Sequence, residues 1–398
     1  MIDGKIAFIT PWYGEHIPGG AEAELRGLVH HLQEAGVELE VLATCIESCN
    51  SDWNENRHPA GWTEENGIRV GRFPADRSFP GHRERVRLLM NHGQPLTRED
   101  EEIYCRETEN SQALMSWLRE HGEEYALLVF IPLLWGVTYY GCQIFPEKSV
   151  LIPCAHDQAS FYFSCLRENL PRVRGMIFHS EPERMLAERL YGVKGDLFRT
   201  MGEGVDTDWQ ADGKRFREKF GLTEPYILYA GRKSAGKRLD LLLDCFRKYK
   251  ERHPAPLKLV LIGDDSPEKI QEPDVKDLGF VSQQDKFDAY GGAAFLCNPS
   301  EGESFSLVIM ESWIAGRPVM ANRNCAVTRS FAEESGGGLA FGNFEEFEAG
   351  ARALLGDEAK AGQMGIAGRN FVLSRFEWDE IVRRYCAYFE QAVRESKK

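Results

Sequence analysis

Short apolar runs alternate with helical stretches along this chain. Residues 5–10, KIAFIT, read as a buried strand. Gly19 and Gly20 follow, then an amphipathic stretch with Leu25, Leu28, Val29 and Leu32 on one face. Residues 37–44, VELEVLAT, make the next strand. Strands this apolar, joined by a helix, predict a parallel sheet covered on both faces. Residues 126–131, 149–155 and 175–180 continue the series.

The pattern then restarts. Residues 225–231, 257–263, 293–298 and 317–322 predict a second parallel sheet. Between the two sets lies GEGVDTDW, residues 202–209, expected to connect two domains. A last helix over about 379–395 carries Ile381, Val382, Tyr385 and Phe389 at helical spacing. Residues 49–67 and 91–100 are polar and turn-rich, and read either as irregular decorations of the first domain near its cleft or as plain surface insertions. The fold class is α/β, with two doubly wound domains facing a cleft. Ligands of such sheets bind beyond the carboxyl ends of the strands.

Composition agrees with two domains, because 398 residues exceed one ordinary core. The formal charge of −14 argues against general nucleic-acid binding, which needs Lys and Arg on phosphates. The basic run GHRERVRLLM, residues 81–90, reads as a solvated helix face. Ten cysteines are scattered without a CxxC pair, and Cys154 and Cys297 read as small buried thiols. Without a signal-peptide pattern the expected compartment is the cytoplasm. No apolar run reaches the ~18 residues of a membrane helix, so membrane association is expected to be peripheral at most.

Three strand ends carry candidate chemistry. After residues 225–231 comes GRKSAGKRLDLLL, where Arg232 and Lys237 flank a short turn before a helix. Such a turn offers two cations and free helix N–H groups to an anion. A basic surface turn is the plain alternative. After residues 293–298 comes PSEGESFSLVIMESWIAGRPVMA, residues 299–321, with Glu301, Glu303 and Glu311 between two apolar strands. A helix starting near Ser306 places Glu303 before it and Glu311 in its second turn, about 12 Å apart at most. Carboxylates repel phosphate but accept hydrogen bonds from hydroxyls, which sugars supply in pairs. A polyanion held by Arg232, Lys237 and the helix N-terminus, with a sugar at each end, would use all these groups. That is the outline of a nucleotide diphosphate sugar. The alternative is that both acids cap and solubilise the helix.

In the first domain, Gly19 and Gly20 allow close backbone approach, and the helix that follows favours an anion at its start. A simple helix-entry turn is the alternative. His156 and Asp157 follow the strand run 149–155. They are either site residues or ordinary polar loop residues.

Residues 299–321 resemble the signature of family 4 glycosyltransferases of the GT-B fold: Pro-Ser, then E-x7-E, then a Gly-x-Pro-Val strand. Glu303 and Glu311 match the two glutamates. GRKSAGK is similar to the family's Gly-Arg…Lys segment, with Arg232 and Lys237 in its places. The likeness runs from Gly19-Gly20-Ala21-Glu22 to the terminal FEWDEIVRRYCAYF. The chain departs from the family at Ser304, Ser306 and Arg238, where glycine is frequent.

The resemblance implies two Rossmann-like domains: 1–203 for the acceptor, joined by a returning C-terminal helix at 378–398, and 204–377 for the donor. It implies that Arg232 and Lys237 hold the diphosphate, Glu311 the ribose hydroxyls and Glu303 the hydroxyls of the transferred sugar. Backbone amides from Ser304 through Phe305 to Ser306 would approach phosphate and sugar, and main chain near Val281 would meet the base. Gly19 and Gly20 would also approach the donor, and His156 would contact the transferred sugar. The reaction would retain anomeric configuration, with a donor phosphate oxygen assisting acceptor deprotonation. The acceptor is open: saccharide, lipid-linked saccharide or small molecule. No cofactor and no obligatory metal are expected. Asp264 and Asp265 are adjacent, and Asp206-x-Asp208 lies in the connection, so no Asp-x-Asp ends a strand. A phosphorylase or sucrose-synthase-like enzyme is a rival within the fold. A non-catalytic nucleotide-sugar-binding protein or partner subunit is a rival of another class. A nicotinamide oxidoreductase fits less well, since the first βα turn lacks G-x-G-x-x-G.

Overall fold

The computed structural model describes residues 2–17, 19–263 and 269–396. Asp264 and Asp265 lie outside the described residues. The chain divides into two compact units, Met1–Gly204 with Trp378–Lys398, and Val205–Glu377.

The first unit holds β1 (Lys5–Ile9), β2 (Leu39–Thr44), β3 (Gly61–Glu65), β4 (Ile68–Phe73), β5 (Tyr125–Phe130), β6 (Ser149–Leu151), β7 (Gly175–Phe178) and β8 (Phe198–Thr200). They form one sheet in the order β3-β4-β2-β1-β5-β6-β7-β8. Every pairing is parallel except β3 with β4. β2, β5 and β7 are buried almost throughout, as a sheet covered on both faces requires.

Three expectations need correction here. Residues 49–67 are not wholly irregular, because they contain β3. Its hairpin with β4 turns on Asn66-Gly67, whose φ values of 51° and 80° are both positive. Asn-Gly is the dipeptide that a two-residue hairpin loop favours. The strand expected over 149–155 stops at Leu151. Pro153 has no N–H to give a ladder, and Cys154 turns the chain at φ 50°. Cys154 is accordingly half-buried rather than a core thiol, whereas Cys297 is buried.

The last helix, Trp378–Ser396, packs on the first unit. Phe389 meets Phe8 edge-on at 6.3 Å, and the Tyr388 hydroxyl donates to the Leu197 carbonyl at 2.8 Å. The Trp378 indole lies against Gly27 and Gly204, where any side chain would collide with it.

The second unit holds β9 (Tyr226–Ala230), β10 (Lys258–Ile262), β11 (Val275–Gly279), β12 (Phe295–Asn298), β13 (Val319–Asn322) and β14 (Gly338–Phe341). The order is β11-β10-β9-β12-β13-β14, all parallel. β11 and β14 are edge strands and mostly half-buried, so neither shows the apolar run that marks the central strands.

In each sheet the strand order reverses at one place, between β1 and β5 in the first and between β9 and β12 in the second. A crevice opens at such a switch point, beyond the carboxyl ends of its strands. Among the described residues, no helix is long and apolar enough to cross a membrane.

Candidate functional site

The loops leaving β9 and β12 meet at the switch point of the second sheet. The β12 loop is pinned from below. Asn298 donates through Nδ2 to Ser306 Oγ at 2.9 Å, and Asn322 Nδ2 donates to the Pro299 carbonyl at 2.7 Å. Glu301 N–H donates to the Gly236 carbonyl of the β9 loop at 3.2 Å. The two loops are thereby tied backbone to backbone.

Charges cross the same seam. Lys237 Nζ lies 2.7 Å from Glu303 Oε1, with side chains 26% and 12% exposed. Arg238 pairs with Glu301 and with Asp240. Arg232 is exposed at the end of β9, and its carbonyl accepts the Tyr229 hydroxyl at 2.5 Å. Lys237 and Glu303, seven residues beyond β9 and five beyond β12, are thus direct partners. Neither Glu303 nor Glu311 caps the helix Leu307–Ile314. The Ser306 hydroxyl at its N-cap accepts from Asn298 instead of capping, so no side chain closes the first turn.

Ser306 stands at φ 90° and Arg238 at φ 48°. Two of the three departures from the family's glycines are therefore left-handed residues, where a non-glycine side chain costs on the order of 1 kcal/mol. Phe305 is 1% exposed and packs on Phe331 and Phe376, so only its main chain is offered to the crevice.

Glu311 sits one and a half turns down the helix. Lys286 Nζ is 2.5 Å from its Oε1, and the Tyr290 hydroxyl donates to Oε2 at 2.8 Å. Burial, with Glu311 beside it, pushes the Tyr290 phenol far above its ordinary value. Val281 occupies the short turn between β11 and the helix Gln283–Gly292 that carries Lys286 and Tyr290. Lys233 bonds Asp277 of β11 at 2.7 Å in a nearly buried pair that braces the β9 loop.

In the first unit, the carboxylate of Glu22 folds over Gly19 and accepts from Trp12 Nε1 at 2.8 Å. The negative charge suited to the start of the helix Gly20–Glu34 is therefore supplied by the chain's own side chain. His156 is half-buried after β6, edge-on to Phe161 at 5.8 Å. Asp157 is exposed and pairs with Arg189 and the Tyr162 hydroxyl. The loop bearing His156 is held by Glu183, whose Oε1 accepts from Ala155 N–H at 2.6 Å. Glu183 belongs to a buried cluster with His179 and Glu24, in which His179 Nε2 is 2.5 Å from Glu24. Burial pulls the His179 imidazole down, but the Glu24 charge outweighs it and lifts it to about 10. Burial raises Glu183 to about 7 against the pull of His179.

Comparison with known proteins bears on the fold. Solved structures match the whole chain. Sucrose-phosphate synthase from Thermosynechococcus elongatus aligns with a TM-score of 0.72 over 98% of this chain and 99% of its own, at 19% identity. Anabaena HepE in complex with UDP aligns at 0.69 over 97% and 100%, at 16% identity. The fold is GT-B. Residues 224–357 also match the family model described as Glycosyl transferases group 1, and they span both loops of the seam. A D-inositol 3-phosphate glycosyltransferase of Acidothermus cellulolyticus is 28% identical over 229 residues, 52% of this chain and 51% of that protein. One from Xylanimonas cellulosilytica is 29% identical over 230 residues, 52% of this chain and 54% of that protein. The chain spans about half the length of the curated relatives it matches.

Within this GT-B frame, Lys286, Tyr290 and Lys233 escaped the sequence reading. Lys286 and Tyr290 lie four apart on one helix face, and β11 was unrecognised, so their shared orientation toward Glu311 had no visible anchor. Glu183 and His179, also four residues of chain apart, carried the same weak signal.

Proposed function

We propose that this chain is a glycosyltransferase that moves a sugar from a nucleotide diphosphate sugar to an acceptor hydroxyl, with retention of configuration and without an obligatory metal. The observation that supports it most is the seam at the β9/β12 switch point, where Lys237 meets Glu303 beside an uncapped helix start. Glu303 and Glu311 are read as the E-x7-E pair of family 4, and the second unit as the donor domain. The inositol-phosphate enzymes matched by sequence and the UDP complex matched by fold make a uridine nucleotide the first donor to test.

Lys237 turns from Glu303 to the diphosphate, joined by Arg232 and the N–H groups at the start of Leu307–Ile314. The pair is mostly buried, so its separation is offset by the new charge-assisted bonds that Lys237 makes to the diphosphate. Glu303 is then free to accept hydroxyls of the transferred sugar. Glu311, held by Lys286 and Tyr290, accepts the ribose hydroxyls, and main chain at Val281 meets the base. The bond from the anomeric carbon to the diphosphate breaks as the bond to the acceptor oxygen forms. The acceptor proton passes to a donor phosphate oxygen, and cations stabilise the leaving diphosphate. The product class is polysaccharide, glycolipid or another glycoconjugate, made in the cytoplasm.

A thermal-shift screen with UDP, GDP, ADP and dTDP sugars, followed by transfer and hydrolysis assays in EDTA, tests the proposal, because a bound ligand raises apparent stability. Stabilisation by one nucleotide family with turnover in EDTA is expected. Stabilisation without any turnover would leave a nucleotide-sugar-binding protein in its place, and turnover restored only by Mn²⁺ or Mg²⁺ would overturn the metal-independent step.

A further inference from the structure

The helix Gln283–Gly292 of the second unit turns one face to Glu311. Lys286 and Tyr290 stand four apart on that face. Each gives a donor to a different oxygen of the Glu311 carboxylate, Lys286 at 2.5 Å to Oε1 and Tyr290 at 2.8 Å to Oε2. Tyr290 is fully buried, and burial keeps its phenol protonated and therefore a donor. The Lys286 side chain is 33% exposed and that of Glu311 13%, so the carboxylate is nearly enclosed on the side of its partners.

Other residues of this helix fix it to the stretch that opens the second unit. The Trp209 indole stacks on the Phe287 ring with centroids 4.0 Å apart and planes 5° from parallel. The Lys286 ammonium lies 5.2 Å from the centroid of the same ring. Trp209 is anchored through Nε1 on the Asp206 carbonyl at 2.8 Å. Gln284 donates to the Gln210 carbonyl at 3.0 Å, and Asp288 accepts from Asp212 N–H at 2.8 Å and from Arg215 at 2.7 Å. Gly213 and Gly292 meet backbone to backbone, since a side chain at Gly213 would come within 2.4 Å of the Gly292 Cα. From the sheet, the Tyr226 hydroxyl of β9 donates to the Ala289 carbonyl at 2.6 Å.

A surface ion pair needs no such frame. An ionised carboxylate has about four lone-pair sites, two on each oxygen. Lys286 and Tyr290 take one on each oxygen of Glu311, and one on each is left for a ligand. Two acceptor sites side by side at a fixed angle match two adjacent hydroxyls. Ribose carries such a pair at its 2′ and 3′ carbons, and 2′-deoxyribose does not. An acid with one flexible partner can turn to meet a single hydroxyl. Glu311 is held against turning, because rotation strands a buried phenol without its acceptor. Glu303 is the contrast: among the described residues Lys237 meets only its Oε1.

We infer that Lys286 and Tyr290 are positioning residues that lock Glu311 to read a ribose diol, so that the chain takes ribonucleoside diphosphate sugars and rejects 2′-deoxyribonucleoside ones. Trp209, stacked on Phe287, keeps the helix that carries them in place. The inference rests on the glycosyltransferase reading, with Glu311 as its ribose acid, and narrows the donor class. Sugars of dTDP are then the poorest of the four donors to be screened.

The test is calorimetry of the full chain with UDP, GDP and ADP, each beside its 2′-deoxy counterpart, and with inorganic pyrophosphate as the probe that has no sugar. For the base that binds best, loss of the 2′-hydroxyl should weaken binding by about 10- to 100-fold. Tyr290→Phe should cut that ratio to about threefold while pyrophosphate affinity stays as in wild type. Lys286→Gln, at a partly exposed position, carries the same expectation should Tyr290→Phe not fold. Trp209→Ala should lower the ratio in the same direction by less, and an unchanged ratio there would remove the brace from the inference. A merely structural pair would lower the melting temperature and leave the ratio untouched. That result in both Tyr290→Phe and Lys286→Gln overturns the inference. Nucleotide binding with a ribose to deoxyribose ratio near one in wild type defeats the inference alone, and the donor reading stands. Absence of binding by every one of these nucleotides defeats the donor reading and the inference with it.

Discussion

The two units solve opposite electrostatic problems. In the second, each acid at the strand ends faces a base across a seam: Glu303 with Lys237, Glu301 with Arg238, Glu311 with Lys286, Asp277 with Lys233. Three of these pairs are partly open to water, so a ligand can take over one member at small cost. In the first, acids are buried in excess. Glu183 lies beside His179, whose charge Glu24 balances, and Glu109 lies apart. A buried carboxylate without a counter-charge neutralises instead of exchanging partners. The second unit therefore holds charges that a polyanion can reorganise, and the first holds protons.

The sharpest break of this comparison is at the seam. Lys237→Ala should lower turnover by 10- to 100-fold and weaken nucleoside diphosphate more than nucleoside, read by initial rates and calorimetry. Equal losses for both ligands would remove the phosphate role. Glu303→Gln should lower turnover over the same range while nucleotide affinity stays nearly constant. Glu311→Gln should do the reverse and weaken the free nucleotide as well. If both glutamine variants bind and turn over as wild type, the seam is structural only.

Smaller is the pH effect on the first unit. Glu109 holds its proton in the fold up to about 9, whereas the unfolded chain releases it near 4.5, so its contribution to stability declines as pH rises between those values. Glu183 acts in the same direction up to about 7. His179, raised to about 10, contributes fully below 6.5 and loses its contribution as pH climbs through 10. Melting temperature should fall from pH 6 to pH 10, and fall less steeply in Glu109→Gln. Parallel curves for the two proteins would mean that Glu109 is ionised in the fold.

The smallest effect compares the two left-handed residues of the seam. Arg238→Gly relieves a positive φ and loses only exposed ion pairs, so it should be neutral or stabilise by up to about 1 kcal/mol. Ser306→Gly relieves the same strain but strands the buried Asn298 amide, and should destabilise by about 1–2 kcal/mol. Denaturant melts of both variants give the sign; a stabilised Ser306→Gly would show that Asn298 finds another acceptor.

What the sequence determined by itself was the alternation of strands and helices, the restart at the second unit, and the loops where chemistry belongs. β1, β2, β5, β9, β10, β12 and β13 are central and buried on both faces, so burial wrote itself as continuous apolar runs. The edge strands β3, β8, β11 and β14 bury less, and so left no such run, although Asn66-Gly67 marked the β3–β4 hairpin. The motif residues Arg232, Lys237, Glu303 and Glu311 were legible because each lies at a fixed short distance after a recognisable strand. Only the tertiary structure decided who partners whom. Lys237 and Glu303 are 66 residues apart and His179 and Glu24 are 155 apart, and such pairs exist only where the sheet order brings distant strand ends together. The protonation of Glu109 likewise depends on what surrounds it in space, which no local pattern records.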